Sequence, residues 1–354
     1  MRKKIALLPG DGIGPEVIKQ ACKILNVIEK KFGHTFECQE GLVGAIAIYQ
    51  TGDPLPKQTL DLCLQSDAIL FGAIGEPKYD NNPQARIRPE QGLLKLRKEM
   101  GLYCNIRPIT VYPSLIEKSP LKSARIQGTD FVVYRELTGG IYFGEKGRSA
   151  DGDQAYDHFT YSKMEIERIT KKAFEAALTR RKKLTLVDKA NVLETSRLWR
   201  ETIKEMTENY PEINVDFLFV DNAAMQLILK PKHFDVILTE NMFGDILSDE
   251  ASVIGGSLGL LPSASIGEKT AMFEPIHGSY SQAAGKNIAN PMACVLSAAM
   301  MLDHFELREE SRQIHAAVEH ALKQKFCTVD IDSDQAKSTE EVGDFLAEYI
   351  KNVA

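Results

Sequence analysis

The chain has 354 residues, 44% apolar and 26% charged, the balance of an ordinary water-soluble protein with room for two cores. Its net charge of −6, with both signs interspersed, leaves no basic stripe suited to nucleic acid. No apolar run approaches the ~20 residues of a membrane span, and the run at residues 5–8 is too short for a secretory signal.

A soluble, cytoplasmic protein that binds neither nucleic acid nor membrane is therefore expected. Cys22, Cys38, Cys63, Cys104, Cys294 and Cys327 are scattered without a C-x-x-C pair, which fits reduced, mostly buried thiols.

Residues 5–8 read as a buried strand, followed by a loop carrying Gly10, Gly12 and Gly14. A helix opens at Pro15, with Val17, Ala21, Leu25 and Ile28 on one stripe. The third glycine comes one residue too early for the G-x-G-x-x-G fingerprint. A tight strand-to-helix turn needing permissive backbone accounts for the glycines instead. Short apolar strands follow at 68–71, 131–134, 184–187, 215–220 and 236–238, with helical patterns at 163–181 and 194–209. Such alternation predicts an α/β protein with a largely parallel sheet. The last quarter is helical: Ile314, Ala317, Val318, Ala321 and Leu322 form one stripe, and 338–341 has capping-box spacing. Residues 75–83 and 147–153, polar and turn-rich, read as mobile loops. No linker divides the chain, so a second domain is expected as an insertion within the first.

Asp245 and Asp249 lie one turn apart on a helix predicted to begin near Gly244, which sets them about 5–6 Å apart on one face. Two parallel carboxylates repel unless a cation lies between them, and hard divalent metals prefer such oxygens. A solvated acidic face is the alternative. Arg97, Arg107 and Arg135 each sit at the edge of a predicted element. Singly they are ordinary ion-pair residues; together they suit a dicarboxylate, which guanidinium grips with two parallel hydrogen bonds. Tyr142 is flanked by glycines that would let backbone and ligand approach. Lys189 directly follows a strand, where ligands of α/β proteins gather and a lysine can act as a base. Late in the chain, 274–279 and 288–291 bracket a small-residue loop whose backbone N–H groups could hold phosphate or adenine groups.

LPGDGIGPEV, GLLKLRKEMGLYCNIRP, YRELTGGIYFGE, VDKANVLETS, VDNAAMQLI, TENMFGDILSDEAS, GSLGLLPSAS and FEPIHGS with NIANP occur here in that order. Together they resemble the β-hydroxyacid oxidative decarboxylases of the isocitrate/isopropylmalate dehydrogenase family nearly end to end. The resemblance implies a two-domain, non-Rossmann α/β fold, one cofactor-side domain formed by residues 1–102 and 256–354. Residues 103–255 would form the other, carrying the interface of a homodimer with shared active sites. By the same likeness Arg97, Arg107 and Arg135 bind the substrate carboxylates. Asp245 and Asp249, with Asp221 of the second protomer, hold Mg²⁺ or Mn²⁺. Lys189, lent like Asp221 by the second protomer, takes the hydroxyl proton as hydride leaves for the nicotinamide, and Tyr142 protonates the enolate left by loss of CO₂. NAD is expected at Pro77, Lys78, Glu90, Glu274, His277, Gly278, Ser279, Gln282, Ala284, Ile288 and Asn290, with residues 76–90 near the nicotinamide.

Within the family, Glu90, Leu93 and Leu94 match the isopropylmalate pattern, with Val192 as a further wall. An isopropyl group against the two leucines would gain about 1.5–3 kcal/mol, whereas isocitrate would place a carboxylate there. Packing of the helix is the alternative for both. The implied reaction is NAD-dependent oxidative decarboxylation of 3-isopropylmalate to 4-methyl-2-oxopentanoate in leucine biosynthesis. Siblings use malate or tartrate, homoisocitrate or isocitrate. Regulatory subunits lose catalytic members, and here Lys189, Tyr142 and all three aspartates are present. One departure is Gln282, where NAD-using members commonly carry aspartate.

Overall fold

The computed structural model describes residues 1–80, 82 and 85–353. The expectations for Asn81, Pro83 and Gln84, within the segment assigned to the nicotinamide, lie outside the described residues. The chain divides into two compact units, Met1–Leu102 with Ser257–Ala354, and Tyr103–Gly256.

The first unit begins with β1 (Arg2–Gly10), α1 (Gly14–Phe32), β2 (Thr35–Glu40), α2 (Ala45–Thr51) and α3 (Lys57–Leu64). It continues through β3 (Ala68–Ala73), α4 (Pro77–Asp80) and α5 (Pro89–Glu99). The second unit then runs β4 (Cys104–Thr110), α6 (Ser123–Ile126), β5 (Asp130–Glu136), β6 (Lys146–Arg148), β7 (Ala155–Asp157) and α7 (Lys163–Thr179). After these come β8 (Lys183–Asp188), α8 (Glu194–Thr207), β9 (Asn214–Phe219), α9 (Val220–Leu229), β10 (Val236–Thr239) and α10 (Asn241–Ser252). The chain returns to the first unit with β11 (Pro262–Ile266), β12 (Ala271–Pro275), α11 (Met292–His304), α12 (Arg308–Lys323) and α13 (Thr339–Asn352).

In the first unit the strands lie in the order β2-β1-β3-β12-β11, parallel except for the β11–β12 hairpin. β3 is buried at every position, so both of its faces are covered. The α1 stripe of Val17, Ala21, Leu25 and Ile28 is fully buried, and Gly33 closes the helix in the left-handed conformation. α11 is apolar almost all round and accordingly buried. At the start of α13, Ser338 and Glu341 form the expected reciprocal cap. The second unit has the order β4-β5-β10-β8-β9, with β4 antiparallel to β5 and the remaining pairs parallel.

The two expected loops are corrected. Residues 146–148 and 155–157 pair as an antiparallel hairpin, and 77–80 close one helical turn. Residues 147–153 therefore include the end of a strand and the hairpin tip: short polar strands carry no apolar alternation to announce them.

Candidate active site

In the second unit the chemistry-bearing residues sit at the carboxyl ends of four neighbouring parallel strands. Arg135 lies near the end of β5, Glu240 follows β10, Lys189 follows β8 and Asp221 follows β9. This is where an open α/β sheet presents groups to a ligand. α10 begins at Asn241, three residues before Gly244, because the Glu240 carboxylate accepts from the N–H groups of Met242 and Phe243 and caps it there.

Arg135 is nearly sealed from solvent, its side chain 4% exposed. Its Nε and Nη2 donate to Asn241 Oδ1 at 3.0 and 2.8 Å, and its Nη1 donates to Asp245 Oδ1 at 2.5 Å. Gly244 permits this crossing, since a Cβ there would stand 2.7 Å from Arg135 Cγ. Arg107, on β4, donates to Ser248 Oγ at 2.7 Å and to Asp249 Oδ1 at 3.1 Å. Its Nη2 lies 3.9 Å from Asp245 Oδ1. Both aspartates thus face arginines from β4 and β5, so the face is not a merely solvated one. Tyr142 Oη donates to Asp245 Oδ2 at 2.9 Å. Partial burial and then the Asp245 carboxylate raise the Tyr142 pKa, which keeps the phenol protonated and able to donate.

Tyr142 is carried on a single 3₁₀ turn rather than a strand. Buried Glu136 accepts from Thr138 and Gly139 N–H at 3.1 and 2.7 Å, and Asn241 Nδ2 donates to Gly139 O at 3.1 Å. A Cβ on Gly139 or Gly140 would stand 2.6 Å from the Tyr161 ring or hydroxyl, so both glycines make room for Tyr161.

Burial pushes the Glu240 carboxyl up to about 7. The folded protein therefore holds a proton between about pH 4.5 and 7 that the unfolded chain releases. Stability from this group is present at the acidic end and lost as the pH rises through 7. Over that window the loss is on the order of 3 kcal/mol. Glu240→Gln should flatten the fall of Tm between pH 5 and 8; an unchanged slope would assign the fall to other groups.

Lys189 Nζ donates to Asp221 Oδ1 at 2.6 Å, and this bond holds the Asp221 carboxyl below the ordinary range. The Lys189 N–H donates to Ser196 Oγ at 3.0 Å, tethering the loop to α8. Val192 is exposed on the same loop. Among the described residues no three His, Cys, Asp or Glu side chains are grouped to hold a metal ion.

In the first unit, Arg97 near the end of α5 donates to buried Glu274 at 2.9 Å. Glu90 stands beside Gly75. Leu93 packs into the core with Leu8, Phe71 and Met272, whereas Leu94 is exposed. Leu93 therefore takes part in core packing, which is compatible with its also bordering a ligand. Pro77 and Lys78 lie on α4, the Lys78 ammonium 5.2 Å from the Tyr49 ring. Gly278, Gln282, Ala284 and Ile288 are exposed, Ser279 half-buried.

Asn290 is committed to the fold: its Oδ1 accepts from Met292 N–H at 3.0 Å and its Nδ2 donates to Asp330 at 3.0 Å. Asp330 also accepts from Ser257 and Thr328. Glu16 of α1 accepts from Gly285 and Asn287 N–H and so supports the same loop. Sequence reading missed both acids, because each acts through backbone or a neighbour far along the chain.

A family model described as Isocitrate/isopropylmalate dehydrogenase matches residues 4–346. The 3-isopropylmalate dehydrogenase of Bacteroides fragilis is 52% identical over 350 residues, 98% of this chain and 99% of that one. The chain belongs to the isocitrate/isopropylmalate dehydrogenase family. The 3-isopropylmalate dehydrogenase of Aquifex aeolicus is also 52% identical, over 99% of this chain and 98% of that one. An isocitrate dehydrogenase structure from Methylococcus capsulatus superposes with a TM-score of 0.89 at 33% identity, covering 99% and 100% of the two chains. A β-decarboxylating dehydrogenase from Thermococcus kodakarensis gives a TM-score of 0.81 at 35% identity, covering 99% and 96%. The family is one of dehydrogenases, and no helix among the described residues is long and apolar enough to cross a membrane.

The residues present fit the groups such a dehydrogenase implies. Asp245 and Asp249 offer oxygen alone, the donor set of a hard divalent cation. His277 contacts Gly278 O through Nδ1 at 3.0 Å, and burial lowers its pKa toward the neutral form. A neutral ring that donates from Nδ1 leaves Nε2 an acceptor. That Nε2 is buried with no hydrogen-bond partner, which suits an amine donor such as that of adenine.

Proposed function

We propose that the chain catalyses the NAD-dependent oxidative decarboxylation of 3-isopropylmalate to 4-methyl-2-oxopentanoate, in leucine biosynthesis. The observation that carries this is near-full-length 52% identity to 3-isopropylmalate dehydrogenases. Arg97, Arg107 and Arg135 hold the substrate carboxylates, and Glu90, Leu93, Leu94 and Val192 border its alkyl group. Asp245 and Asp249, joined by Asp221 from a second protomer, hold Mg²⁺ or Mn²⁺. When bound there, a divalent ion would supply Lewis-acid polarisation of substrate oxygens and stabilise negative charge. Lys189, lent together with Asp221 by the second protomer, would accept the C2 hydroxyl proton as the substrate gives up hydride, and Tyr142 would return a proton to the enolate carbon.

The nicotinamide half of NAD lies by Glu90, Pro77 and Lys78. Glu274, His277, Gly278, Ser279, Gln282, Ala284, Ile288 and Asn290 form the adenosine side. Residues 1–102 with 256–354 act as the cofactor-side domain, and 103–255 carry the dimer contact. Exposed apolar side chains on α9 (Met225, Ile228, Leu229) and α10 (Ile246) support a homodimer formed by the second unit. A cytoplasmic location agrees with the reduced state of all six cysteines.

Assays on isopropylmalate, D-malate, tartrate, homoisocitrate and isocitrate, with NAD or NADP and with chelator, test this reading. Isopropylmalate should give the highest kcat/KM, and chelator should abolish turnover. Preference for D-malate or isocitrate would reject the substrate. NAD should exceed NADP, by less than usual because Gln282 lacks the charge that repels a 2′-phosphate. A kcat/KM for NADP at or above that for NAD would overturn the cofactor.

A further inference from the structure

The glycine-rich loop after β1 is bonded both to Gly75, just ahead of the proposed nicotinamide segment, and to Ser279 of the proposed adenosine segment. Asp11, at its centre, is buried, yet its carboxylate accepts three backbone N–H groups from two distant segments. Oδ2 accepts from Ala45 at 2.9 Å and from Gly75 at 3.0 Å, and Oδ1 accepts from Ile46 at 3.0 Å. The first turn of α2 is thereby capped from across the chain. The same carboxylate pins Gly75, immediately before Glu76, Pro77 and Lys78. Both glycines beside the carboxylate, Gly44 and Gly75, have positive φ (+83° and +118°), which leaves little freedom for side chains there. A Cβ on Gly44 would stand 2.4 Å from Asp11 Oδ2; one on Gly75 would stand 3.2 Å from Glu90 Oε1 and 3.5 Å from Ser279 Oγ.

On its other side the loop holds the adenosine segment. Ile13 N–H donates to Ser279 O at 2.8 Å, and a Cβ on Gly12 would lie 2.0 Å from that oxygen. Asp11 N–H donates to Ala73 O at 2.9 Å, fixing the loop to the end of β3. Burial raises the Asp11 carboxyl pKa, with nearby Glu76 adding to the rise. A buried carboxylate is costly as mere filling, and the three N–H donors are what offset that cost.

We infer that Asp11 is a positioning residue for the cofactor. Its carboxylate fixes Gly75 and the start of α2 relative to the Ser279 loop, so that Pro77, Lys78 and Glu90 meet the nicotinamide half in register. The inference rests on the NAD reading above and assigns the loop a part in that same site.

Asp11→Asn tests it. An amide can offer its oxygen to one side only, so its NH₂ must face either Ile46 N–H or the Ala45 and Gly75 N–H groups. Losing one charge-assisted bond should raise the Kd and KM for NAD about tenfold. kcat at saturating NAD should stay within about threefold, and Mn²⁺ affinity should be unchanged, since the aspartates lie in the other unit. Amide exchange at Gly75–Tyr79 should quicken selectively. An NAD Kd within about twofold of wild type, with Gly75 exchange unaltered, overturns the inference.

Exchange in the unaltered protein decides the matter should the variant not fold. NAD should slow exchange at Ala45, Ile46 and Gly75 together; protection of residues 75–78 without Ala45 and Ile46 overturns it. Wild-type protein that binds neither NAD nor NADP would sink the functional reading itself, and this inference with it.

Discussion

Replacing Lys189 by methionine is expected to lower kcat by about 10²–10⁴-fold while leaving the fold intact. Methionine keeps the length and apolar stem of lysine but can neither take nor carry a proton. The structural cost is small because the pair it breaks is open to solvent: the Lys189 side chain is 27% exposed and that of Asp221 66%. Such a solvent-screened pair adds little to stability. The rest of the loop is held by backbone, with Val192 and Leu193 N–H both donating to Lys189 O at 2.9 Å. Turnover and Tm measured on one preparation settle it. Wild-type turnover with an unchanged Tm would remove Lys189 from its assigned role.

Asp245→Ala should combine a loss of turnover of about 10³-fold or more with a measurable loss of stability. Asp245 meets Arg135, Tyr142 and, at longer range, Arg107. Without it the sealed Arg135 guanidinium loses this carboxylate and keeps its bonds to the Asn241 amide oxygen. Breaking a fully buried ion pair costs about 3–5 kcal/mol. Asp245 is itself 35% exposed, so solvent screens the pair, and about 2 kcal/mol is the expected loss.

Asp245→Asn separates the two effects. It preserves shape and an acceptor for Arg135 or Tyr142, so most of the stability should return. It removes the charge that a divalent ion needs, so turnover and Mn²⁺ affinity should stay low. Full activity of Asp245→Asn at ordinary Mg²⁺ concentrations is the result that contradicts a metal role for this residue.

Much of the architecture was legible because burial writes itself as period. The α1 stripe, the apolar β3 and β8 strands and the 338–341 cap all follow from local patterning. β2, β4 and the β11–β12 hairpin were missed. β2 is exposed along most of its length, β4 interrupts its apolar positions with Asn105 and Arg107, and β11 is small-residue serine and alanine. None of them carries the alternation that reveals a half-buried strand. The helix carrying Asp245 was placed three residues late for a related reason. Glycine looked like a beginning, whereas the Glu240 cap sets the start.

By itself the sequence determined the apolar-patterned elements, the family and which side chains can do chemistry, because those depend on residue type, spacing and order. Tertiary structure alone decided their partners. It gave Arg135 to Asn241 and Asp245, Lys189 to Asp221, and Arg97 to Glu274. It put Leu93 in the core and left Leu94 outside. It turned Asp11 from a turn residue into the tie between α2 and Gly75. Each of these contacts joins residues on different elements or side chains at different depths. Hydrogen bonding and desolvation act over a few ångströms of space, not along the chain, so no local pattern records them.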